Sequence, residues 1–295
     1  MTPRVDAHCH LWRLERGDYG WLDGDGGPLA PIRRDFEVAD LRAAGAAMGT
    51  EAFVAVQAAP SVAETRHLLD QARIAPEIVG VVGWVDLSDP AAEADLERLA
   101  ADPRFVGVRP MLQDLPDPDW IATRPAPAAM AALSRLGLCF DALVTPVHLQ
   151  ALQHFAERHG DLPIMIDHAA KPAVSAPADD PRHALWRVGM QALAHRPGVC
   201  VKLSGLLTEL PAERRRTPDD AVAALRPLVD HLLDWFGPER LAWGSDWPVL
   251  TLASQPAVWA EVSERLLAPL NEAGRAAVRG DTACRFYGLT VDAVA

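Results

Sequence analysis

Short apolar runs alternate along the chain with longer segments of helical period. The runs occupy Arg4–His10, Ala52–Gln57, Val79–Val85, Phe105–Pro110, Leu138–Val144, Pro163–His168, Val199–Ser204 and Leu241–Asp246. Several are apolar nearly end to end, as strands are when helices cover one face and a core fills the other. The segments between them carry helix signals. Ser61-Val62-Ala63-Glu64 has the spacing of a capping box, Asp89-Pro90 sets a cap before a proline at the first helical position, and Gly137, Gly160 and Gly237 stand where helices should stop. A strand–helix unit repeated eight times in 295 residues predicts one α/β domain over 1–295, a (β/α)8 TIM barrel with a helical tail at 270–295. An open doubly wound sheet is the alternative, but no G-x-G-x-x-G follows the first run.

One stretch breaks the alternation. Residues 14–34 read LERGDYGWLDGDGGPLAPIRR, with no sustained period. An irregular connection of that length after the first strand falls on the barrel face where active sites are built. It is read as an active-site flap, with Tyr19 and Trp21 as its anchoring aromatics; a surface loop is the plainer alternative.

Composition narrows the class. Hydrophobic residues make up 49% of the chain, enough for a large core, and no run approaches a membrane span. A net charge of −12 argues against a nucleic-acid partner. The N-terminus shows no basic region followed by an apolar one, so a cytoplasmic protein is expected. The four cysteines, Cys9, Cys139, Cys200 and Cys284, lack metal or redox spacing and are read as unpaired thiols.

The candidate chemistry gathers at the ends of the runs. His8 and His10, two apart on a strand, share a face as a two-pronged nitrogen clamp. His168 and Asp246 end the sixth and eighth runs, so all four should meet on one rim. Asp246, set between Trp243 and Trp247, is expected to be partly desolvated and suited to general-base work. Asp167 should face away from His168 and serve structure. Arg109 and Gln113 are candidates to grip a substrate hydroxyl or carboxylate, although Arg109 also suits a buried ion pair. Lys171 is a candidate at the rim, and Trp84 and Trp247 are candidate pocket walls. Lys202 is expensive to bury alone, so it should meet a carboxylate such as Asp141 or reach the rim.

Together these motifs resemble the amidohydrolase superfamily. The H-x-H of the first strand, I-D-H-A-A-K-P, V-K-L-S-G and W-G-S-D-W-P carry the resemblance, which runs from Asp6 to about Tyr287. H-C-H-L-W, D-Y-G-W-L and G-V-R-P-M-L-Q-D-L-P-D-P-D-W are similar to its lactonase branch, which holds L-fuconolactonase, L-rhamnonolactonase and 2-pyrone-4,6-dicarboxylate lactonase. The resemblance implies a hydrolase acting on a small sugar-derived lactone, in which Asp246 takes a proton from water while His8, His10 and His168 polarise the carbonyl. It also implies that one divalent ion, Zn²⁺ or Mn²⁺, can be held by His8, His10, His168 and Asp246. Members of the branch work without metal, and both readings stand at this point. The fourth run lacks a bridging lysine and the fifth lacks a histidine, which argues against a two-metal site and favours an ion that binds without being required. A metal-dependent decarboxylase or hydratase acting on an unsaturated or aromatic acid, and a barrel that binds a sugar acid or metal without catalysis, are the alternatives.

Overall fold

Eight parallel strands pair in chain order: β1 Val5–Cys9, β2 Ala52–Val56, β3 Ile78–Gly83, β4 Phe105–Val108, β5 Cys139–Ala142, β6 Ile164–Ile166, β7 Val199–Leu203 and β8 Leu241–Trp243. This computed structural model describes residues 3–24 and 26–291; one position of the expected flap and the last four of the expected tail lie outside the described residues. A Cys9–Trp247 bridge, with His10 N–H donating to Trp247 O (2.7 Å) and Asp246 N–H to His8 O (2.8 Å), joins β8 back to β1. The arrangement is the expected (β/α)8 barrel, with one strand in each apolar run. His10, Arg109, His168 and Asp246 all lie just past their strands, on the carboxyl-terminal rim.

Side-chain alternation sorts each strand between two cores. Phe53 and Ala55 join the large cluster shared with the helices, while Ala52, Val54 and Val56 join a smaller one with Val106, Cys139, Met165, Cys200 and Ala242. That smaller cluster fills the barrel, and the tail closes it by adding Ala283 and Tyr287 from the helix Thr282–Tyr287. In β1 the register slips, because Asp6 pairs with Phe53 but Cys9 with Ala55. This bulge inserts one residue, and the Asp6 carboxylate accepts the His8 N–H (3.0 Å). Ala7 and His8 can therefore both turn inward, and His10 follows.

Helix boundaries follow local chemistry with two exceptions. Ser61 caps the helix Val62–Ile74 by accepting from Glu64 N–H (3.0 Å), but the Glu64 side chain turns to Ala58 N–H (3.1 Å) instead of completing the box. Gly137 ends its helix at φ 67°. The helix expected to start at Pro90 starts at Ala92, since Asp89 spends its carboxylate on a turn to Ala91 N–H (2.7 Å). The helix Leu149–Arg158 stops with His159 as its cap, so Gly160 stands just past the end, as expected. All four cysteines are free, and among the described residues no helix is long and apolar enough to cross a membrane.

Candidate active site

Three imidazoles converge on one carboxylate. Asp246 Oδ1 lies 3.3 Å from His10 Nε2, 3.7 Å from His8 Nε2 and 3.9 Å from His168 Nε2. The two clamp nitrogens, His8 Nε2 and His10 Nε2, are 3.2 Å apart. Hydrogen bonds behind the rings fix their aim: His10 Nδ1–H donates to Val56 O (2.8 Å), and His168 Nδ1 meets Ser204 Oγ (2.9 Å). On the β8 loop, Asp6 accepts Ser245 N–H (2.8 Å) and Ser245 Oγ accepts Trp247 N–H (2.9 Å), which ties Asp246 to β1.

His168 arrives by a route that strand alternation does not describe. Beyond β6 the chain makes a left-handed turn, with φ near 50° at His168, Ala169, Ala170 and Lys171. For residues with a Cβ this costs about 1–2 kcal/mol each. The turn is held by Lys171 N–H to His168 O (2.9 Å) and Trp186 Nε1–H to Ala169 O (2.7 Å). Asp167, expected to face away, is in the barrel instead. It continues the inward face of Met165, and the turn brings His168 in beside it. Gly205 explains another motif: at φ 63°, a Cβ there would stand 2.6 Å from His168 Nδ1 and 3.2 Å from Asp246 Oδ2.

Beneath the imidazoles lies an ionic floor that sequence reasoning saw only in part. Lys202 pairs with Asp141, as expected, and also lies 3.0 Å from Asp167 Oδ1 and 3.2 Å from His8 Nδ1. The Tyr287 hydroxyl, within 2.9 Å of both Asp141 oxygens, links the tail to this floor. Inward alternation below the rim, Cys139 to Asp141 and Cys200 to Lys202, was the available signal. Arg109 is buried; it donates to Gln57 O and to Asp167 (3.4 Å) and approaches His8 Nε2 (3.4 Å). Its position is that of a floor residue, not of an exposed clamp.

Burial and neighbours set the charges. Burial pushes His8 well below the ordinary imidazole range and His168 down to about 4, so both are neutral near pH 7. Burial works to raise Asp246, but the His168 charge interaction, the His10 hydrogen bond and His8 together hold it well below the usual carboxylate range. The tryptophan-flanked, desolvated base expected from the sequence is thus an imidazole-stabilised carboxylate, ionised throughout the physiological range. Burial likewise works against the charged forms of Lys202 and Asp167, yet their mutual attraction, with Asp141 and His8, keeps both charged.

The remaining candidates disperse. Tyr19 is buried against Trp12 (6.2 Å between ring centroids), and Trp247 packs on Phe36 (5.3 Å). Trp21 and Trp84 wall a groove of about 630 Å³, together with Asp18, Asp86, Asp114 and Trp120, which none of His8, His10, His168 and Asp246 lines; it comes nearest to the centre at Pro110, the neighbour of Arg109 in the chain. Gln113 is half-buried in the loop after β4, its backbone N–H bonded to Leu143 O (3.2 Å). Lys171 ends the left-handed turn, where its charge opposes protonation of His168.

The donor set suits a divalent ion. Tetrahedral ligands at about 2.1 Å from zinc sit roughly 3.4 Å from one another, and the His8, His10 and Asp246 atoms are separated by 3.2–3.7 Å. His8, Asp167 and His168 form a second grouping of ligand atoms within 4.8 Å of one another. Histidines and a carboxylate at the rim of a closed parallel barrel define a hydrolase-type centre with ligands for a divalent metal. The chain belongs to the amidohydrolase family, whose profile matches residues 5–289. It is 44% identical to an L-fucono-1,5-lactonase of Burkholderia ambifaria, over 98% of this chain and 97% of that protein. A second L-fucono-1,5-lactonase, from Burkholderia multivorans, is 36% identical over 97% and 96%. A crystal structure of a Burkholderia multivorans amidohydrolase with bound zinc superposes with a TM-score of 0.87 at 34% identity, covering 98% of this chain and all of that one.

Proposed function

We propose that this protein hydrolyses a neutral aldonolactone of the L-fucono-1,5-lactone type, with Asp246 as general base and His8, His10 and His168 around the lactone carbonyl. The observation that carries the reading is the convergence of three imidazoles on one ionised carboxylate. Asp246 takes a proton from water as its oxygen bonds to the carbonyl carbon, and hydrogen bonds from the imidazoles to the carbonyl oxygen stabilise the charge that develops there. The ring C–O bond then breaks, and the proton held by Asp246 passes to the departing oxygen. The products are a hydroxyl and a carboxylic acid, so the atoms balance without a co-reactant. His8, His10 and Asp246 are the residues that would hold a divalent ion, which when bound supplies Lewis-acid polarisation of the carbonyl.

The substrate class draws support from the two lactonase relatives and from the groove. Three tryptophans and three aspartates line it, with no lysine or arginine. Such walls favour sugar hydroxyls and C–H faces and disfavour carboxylates. Arg109, the one arginine at the centre, is engaged by Asp167 and Gln57. A pH-indicator assay should therefore show rapid opening of L-fucono-1,5-lactone and slow or no opening of a planar dicarboxylate lactone. The reverse preference would reject the reading.

A further inference from the structure

We propose that Lys202 is a positioning residue that fixes the ring proton of His8 on Nε2, which makes His8 a hydrogen-bond donor to the substrate oxyanion in the metal-free enzyme and opposes, without preventing, its service as a metal ligand. The inference rests on the lactonase reading only for the identity of the oxyanion.

A neutral imidazole has one N–H and one lone pair, so the partner of either nitrogen settles the other. Two groups lie beside His8 Nδ1. Lys202 Nζ, at 3.2 Å, is in hydrogen-bonding alignment, and Asp167 Oδ1, at 3.3 Å, is a competing acceptor that Lys202 Nζ itself holds at 3.0 Å. Lysine can only donate. A lysine that donates to Nδ1 leaves the proton on Nε2. On the far side of the ring, His10 is engaged elsewhere: its Nδ1–H goes to Val56 O at 2.8 Å and its Nε2, 3.2 Å from His8 Nε2, lies 3.3 Å from Asp246 Oδ1. Arg109 Nη1 also approaches His8 Nε2, but at 3.4 Å, and it has Asp167 Oδ2 at the same distance as an alternative acceptor. Lys202 thus sets the His8 tautomer from behind the ring.

Asp141 and Asp167 keep Lys202 in place and charged. Without the ammonium, Asp167 becomes the nearest partner of His8 Nδ1. The ring proton would then sit on Nδ1, and Nε2 would present a lone pair toward His10 and Asp246, the carboxylate–histidine arrangement that supports zinc ligands. The same residue thus weights hydrogen-bond against metal chemistry at one nitrogen.

Two measurements test this, and neither readout needs a substrate. In metal-free wild-type enzyme labelled with ¹⁵N-histidine, the His8 resonance, assigned by its loss in His8→Asn, should be protonated at Nε2 and bare at Nδ1. In Lys202→Met the proton should move to Nδ1, and zinc affinity, read by competition with a chromophoric chelator, should rise at least about tenfold. The metal-free lactonase rate should fall about 10²-fold, the loss typical of one oxyanion donor. A wild-type His8 protonated at Nδ1 overturns the proposal, and this experiment decides the matter even if the variant does not fold. A folded Lys202→Met with unchanged tautomer or zinc affinity overturns it as well. Failure to open any lactone, with the proton found on Nε2, would reject the proposed function and leave this proton placement standing.

Discussion

Asp246 and Glu64 are both carboxylates buried near the same rim, 5% and 0% exposed, and their charges go opposite ways. Burial raises both. At Asp246 three imidazoles within 3.9 Å reverse that effect, and the group stays ionised. At Glu64 the counterweights are one backbone N–H, from Ala58, and the more remote charges of Arg109 and Arg16, so burial prevails and the carboxyl is pushed up to about 8. Its second oxygen has no partner among the described residues. Burial alone therefore does not make a catalytic base; neighbours decide whether a buried carboxylate is a charge or a neutral strut.

The largest expected effect comes from removing the charge where neighbours sustain it. Asp246→Asn keeps the shape and should lower kcat by about 10²–10⁴ with the fold intact, the range for loss of a general base. Near wild-type turnover in a folded variant would end the assignment. A smaller effect comes from disturbing the neighbours. In Gly205→Ala a methyl group must enter 2.6 Å from His168 Nδ1 at a backbone φ of 63°. Displacing an imidazole in this way should cut kcat/KM about 10²-fold, and a variant with unchanged kinetics would show that the left-handed glycine does not set the His168–Asp246 geometry.

The same comparison marks what the sequence could reveal. The barrel and the four rim residues were legible because apolar runs and strand-end polar residues are local patterns. His8 and His10 share a face by simple alternation, but their inward aim needs the β1 bulge, and nothing in V-D-A-H-C-H marks an inserted residue. Asp167 was misplaced because alternation was counted from His168, whose left-handed turn breaks the count. Glu64 read as one half of a capping box, and only tertiary contact sends it to Ala58. Tyr287 lies 146 residues from Asp141, beyond any local pattern.

Glu64 supplies the third test, a pH dependence with a defined sign. Its folded pKa of about 8 lies above the ordinary 4.5, so the folded state holds a proton that the unfolded state releases. Its contribution is fully present below pH 4.5 and is lost as pH rises toward 8, at up to about 1.4 kcal/mol per pH unit. Glu64→Gln lacks this slope. Its unfolding free energy should rise relative to that of the wild type as pH climbs from 5 to 8, by an amount on the order of 3 kcal/mol, read from denaturant melts at each pH. A constant difference across that range would mean that Glu64 is ionised in the folded protein.

The smallest effect belongs to the 14–34 segment, which meets Glu64 through one residue. Ala58 donates its N–H to Glu64 and accepts the Trp21 indole N–H (2.8 Å) at its carbonyl. Trp21 also stands edge-on to Trp12 (5.5 Å) and remains 36% exposed at the groove. Tyr19, by contrast, is packed inside. Trp21→Ala removes one hydrogen bond and one groove wall and leaves Asp246 and its imidazoles in place. The loss of about 1 kcal/mol in binding corresponds to a roughly fivefold rise in KM, with kcat nearly unchanged. Water admitted beside Ala58 should also relax Glu64 toward its ordinary pKa, so the pH slope of stability described above should shrink in the same variant. A fall in kcat with no change in KM would place Trp21 in the chemistry of Asp246. An unchanged KM together with an unchanged slope would make the 14–34 segment a surface loop.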